Sequence, residues 1–73
     1  MQKPVWNSAV TVGIVQISGP FEALSFLDHD WPRQKGPRFV DARHACLAAL
    51  DERADPEDAK TLFAEALEEA HLH

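Results

Sequence analysis

The chain has 73 residues, a net charge of −5 and a single cysteine, Cys46. That length is one domain, 1–73, near the small end of what folds alone, where one core supplies about 3–5 kcal/mol; a lone cysteine excludes an internal disulfide as a staple. No apolar run approaches the roughly 20 residues of a membrane span, Met1–Val5 does not resemble a signal peptide, and a free thiol suits a reducing compartment, so the expected location is cytoplasmic. The charge is uneven. Residues 1–50 sum to +1, whereas residues 51–73 set Arg53 and Lys60 against eight acids and sum to −6.

Val10-Thr11-Val12 and Val15-Gln16-Ile17 are β-rich runs separated by Gly13-Ile14. Glycine at the first central position suits a type II′ turn, which requires positive φ there. A hairpin about this pair sets Val12 opposite Val15 and Val10 opposite Ile17 on one apolar face, with Thr11 and Gln16 on the other. The hairpin is the preferred reading; a single bulged strand over 9–17 is the alternative. Two strands are marginal alone, so they must lie on helices or join another sheet edge.

Pro20 and Glu22 mark a helix start. Ala23, Leu24, Leu27 and Trp31 follow at helical spacing, and Pro32 ends the segment because the residue before proline is pushed out of the α region. This predicts a helix over about 20–30. After the polar connection Arg33-Gln34-Lys35-Gly36, a second helix opens at Pro37 or Arg38. Its apolar stripe is Phe39, Ala42, Cys46, Leu47, Ala49 and Leu50. Asp51–Ala54 is a turn. Asp55-Pro56-Glu57-Asp58 then combines an aspartate N-cap, proline at the first helical position and acids in the first turn. Ala59, Leu62, Phe63, Ala66, Leu67 and Ala70 form the stripe of a third helix. The short connection favours an antiparallel pair with the second. The fold class expected is α+β: an N-terminal β-hairpin followed by three helices. The expected core is Val10, Val12, Ile17, Leu24, Leu27, Trp31, Phe39, Cys46, Leu50, Leu62, Phe63, Ala66 and Leu67.

Glu22-Ala23-Leu24 with Phe26-Leu27, Trp31-Pro32, Gly36-Pro37, Ala42-Arg43, Cys46, Ala48-Ala49-Leu50, and finally Ala59, Phe63, Ala66 and Glu69-Ala70 make up a pattern covering nearly the whole chain from Trp6. In this pattern the chain resembles a family of short bacterial proteins, mostly alphaproteobacterial, known as domain-of-unknown-function family 982. The resemblance implies no activity and no catalytic residues.

Candidate chemistry is sparse. Cys46 lies one turn from Arg43, a cationic neighbour such as reactive thiols use, but it sits on an apolar stripe, where free cysteine acts as a small hydrophobe. Asp28-His29-Asp30 and His71-x-His73 contain metal-ligand atoms without the i, i+4 spacing that puts two ligands on one helix face. No metal or cofactor is expected. There is neither a triad-like set nor a glycine-rich phosphate loop, and three helices with a hairpin rarely enclose a pocket, so an enzyme is not expected.

Arg33, Lys35, Arg38 and Arg43 form a modest basic segment and the candidate interaction surface. The leading expectation is a small non-enzymatic interaction or regulatory module, with a homodimer or another protein as partner. It would be built by sheet-edge pairing or by the basic second helix against the acidic third. The alternative is a nucleic-acid-binding accessory protein using the same segment, 33–43, against which the overall acidity argues.

Overall fold

The computed structural model describes residues 5–32 and 35–72. In chain order the elements are β1 (Val10–Val12), β2 (Val15–Ile17), α1 (Pro20–His29), α2 (Pro37–Leu50) and α3 (Pro56–Glu69). β1 and β2 pair antiparallel in the register Val10↔Ile17, Thr11↔Gln16, Val12↔Val15, so the single bulged strand is ruled out. Gly13 has φ 61° while Ile14 stays at negative φ, the sign pattern of a type II′ turn.

Proline occupies the first turn of every helix, and each start is completed differently. At α1, Glu22 reaches back to accept from the Ser18 N–H (2.7 Å) and hydroxyl (2.8 Å), a variant of the capping box. At α3, Asp55 Oδ1 accepts the Glu57 N–H at 2.9 Å, an aspartate N-cap. At α2 the N-cap is Gly36, which has no side chain to offer. The end of α3 supplies one instead, since Glu69 Oε1 accepts the Arg38 N–H at 3.3 Å. A Cβ on Gly36 would collide with that carboxylate. Gly36 and Glu69, far apart in sequence, therefore make one helix cap.

α2 and α3 form the main packed pair, with α1 lying chiefly against α2. Alanines at Ala23, Ala42, Ala49, Ala59 and Ala66 are buried at the contacts, where small side chains let helix axes approach. Phe63 is fully buried and anchors a ring cluster, with Trp6, Phe26 and Trp31 at centroid distances of 5.9, 6.1 and 6.4 Å. Phe39 joins through Trp31 at 5.6 Å.

The core differs from the sequence expectation in two ways. Val10, Val12, Leu24, Trp31, Leu50 and Leu62 are only half-buried, because a two-stranded sheet and three short helices cannot cover both ends of every stripe. Ala23, Ala42, Ala49 and Ala59, absent from the expected core, are buried, and so is Trp6, at 5% exposed. Its backbone N–H donates to the Ser18 carbonyl at 2.8 Å, and its indole N–H donates to the Pro56 carbonyl at 2.7 Å. The segment before β1 thus straps the hairpin onto the start of α3.

Candidate functional site

The basic segment is dispersed by the fold. Arg38 and Arg43 stand five residues apart on α2, roughly 140° around the helix, and face different neighbours. Arg38 pairs with Glu65 of α3 at 3.1 Å, and Arg43 Nε donates to Asp28 of α1 at 2.8 Å. That hydrogen bond, then the Asp28 charge, raises the Arg43 pKa further above its ordinary value. Lys35 Nζ lies 5.5 Å from the centroid of the Phe39 ring, within cation–π range. Arg33 lies outside the described residues. Two of the four cations of the candidate surface, Arg38 and Arg43, are therefore paired within one chain.

Trp31-Pro32, Lys35-Gly36-Pro37 and Glu69-Ala70-His71 line a cleft of about 670 Å³ where the α1–α2 connection meets the end of α3. These are largely the residues that carried the family pattern, and their geometry gives the structural reason. Trp31 closes the aromatic cluster, Pro37 opens α2, and Gly36 leaves room for the Glu69 carboxylate, which is bonded to the Arg38 N–H.

Cys46 is buried between α2 and its neighbours, and burial pushes its thiol up to about 12. A thiolate is therefore disfavoured where the nucleophile would need it. Asp28 is engaged with Arg43, and His73 lies outside the described residues. Among the described residues no group of three or more His, Cys, Asp or Glu side chains gathers to hold a metal ion. No helix among them is long and apolar enough to cross a membrane.

A family model described as protein of unknown function (DUF982) matches residues 3–73. The chain belongs to this family. No curated protein and no solved structure matches it.

Sheet-edge pairing was one of the two expected routes to an interface, but the exposed apolar groups around the hairpin were not singled out by sequence reasoning. No charged residue lies between Lys3 and Glu22 in this DUF982 chain. Of the large apolar side chains that are exposed among the described residues, Val5, Ile14, Val15 and Phe21 fall in this interval and only Val40 lies outside it. Ile14, at the hairpin tip, is fully exposed. The signal was present in the sequence as an uncharged run, but helical and strand periodicities do not report it.

Proposed function

We propose that this protein is a non-enzymatic interaction module whose contact surface is the uncharged hairpin region rather than the basic segment. The observation that carries this reading is the exposure of Ile14 at the hairpin tip and of Val15 and Phe21 along one groove, beside a two-stranded sheet that has no further strand among the described residues. Exposed apolar groups clustered in one place mark interaction sites more often than scattered ones do. A short sheet with open edges can accept an added strand. The intramolecular pairing of Arg38 and Arg43 supports the same choice, because it engages two of the four charges the competing surface would use.

The test is affinity capture from native lysate with two baits, the wild-type chain and Ile14→Lys. Ile14 touches no core, so the variant should melt as wild type does. A protein retained by the wild type and lost with the variant is the expected result; identical captures would reject the hairpin as the contact surface. For the nucleic-acid alternative, a mobility-shift titration at low salt decides, since phosphate contacts are strongest there. No shift is expected.

A further inference from the structure

We draw no further inference here: the strongest candidate, the cleft of about 670 Å³ where the α1–α2 connection meets the end of α3, carries nothing because its Glu69 carboxylate already caps α2 through the Arg38 N–H, its Lys35 ammonium lies over the Phe39 ring, and nothing in the structure shows what would cover the Trp31 and proline walls that remain.

Discussion

At the scale of single residues, Cys46 shows how burial decides between chemistry and packing. Its sequence neighbour Arg43 is turned to Asp28, and the thiol is enclosed among apolar groups that hold its pKa near 12 against an ordinary value near 9. The folded chain keeps the proton to higher pH than the unfolded chain does. Stability linked to this group is therefore fully present below about pH 9 and declines from there toward pH 12. Two measurements check this. Alkylation of the native thiol should proceed no faster than unfolding, and Cys46→Ala should remove the part of the alkaline stability loss that Cys46 contributes. Rapid labelling at neutral pH without unfolding would mean an accessible, reactive thiol. The placement of Cys46 on an apolar stripe was legible in the sequence. The pairing of Arg43 with α1 was not, because it depends on a neighbour fifteen residues away in sequence that only the helix packing brings close.

The elements were the most legible level, because their ends are written in local chemistry. Gly13 marked the turn, and Pro20, Pro37 and Pro56 marked three helix starts within a residue or so of where they lie. What local chemistry could not reveal was how α2 and α3 stop. After α2, Glu52 takes φ 61°, the Glu52 N–H donates to the Ala49 carbonyl and the Arg53 N–H to the Ala48 carbonyl. After α3, His71 takes φ 59°, with matching bonds from His71 to Glu68 and from Leu72 to Leu67. Both are Schellman ends, whose left-handed position is normally glycine. A glutamate or histidine gives no sequence signal there. Because a residue with a Cβ is strained by about 1–2 kcal/mol in that region, Glu52→Gly should stabilise the protein. The net gain should be about 1 kcal/mol, since glycine also gives the unfolded chain more freedom; loss of a negative charge beside the C-terminal end of α2 acts in the same direction. The midpoint of a urea titration should rise at unchanged slope. An unchanged or lower midpoint would show that the left-handed conformation at Glu52 is not the one populated in solution.

For the whole molecule, the question is what joins a marginal hairpin to a helical body. Helix packs on helix around Phe63, while β1 and β2 reach that core chiefly through Ile17 and through Trp6, the residue whose place in the core strand and helix periodicities could not show. Trp6 links three parts at once: its backbone to the strand end at Ser18, its indole N–H to Pro56 at the start of α3, and its ring to Phe63 at 5.9 Å. The neighbouring contacts, Asn7 N–H to Glu57 and Lys60 Nζ to Ser8 Oγ, are exposed and worth little by comparison. Truncating a buried tryptophan to alanine costs about 3–5 kcal/mol, as much as one core of this size supplies. Trp6→Ala should therefore lose its cooperative thermal transition. Trp6→Phe keeps a ring against Phe63 and gives up the indole hydrogen bond, about 1 kcal/mol; the Pro56 carbonyl retains its place in the first turn of α3. That variant should stay folded with a lowered midpoint and still expose Ile14 and Val15. If Trp6→Ala melted as the wild type does, the hairpin would be anchored by something other than this strap, and the coupling of its edge to the helical core would have to be sought at Ile17.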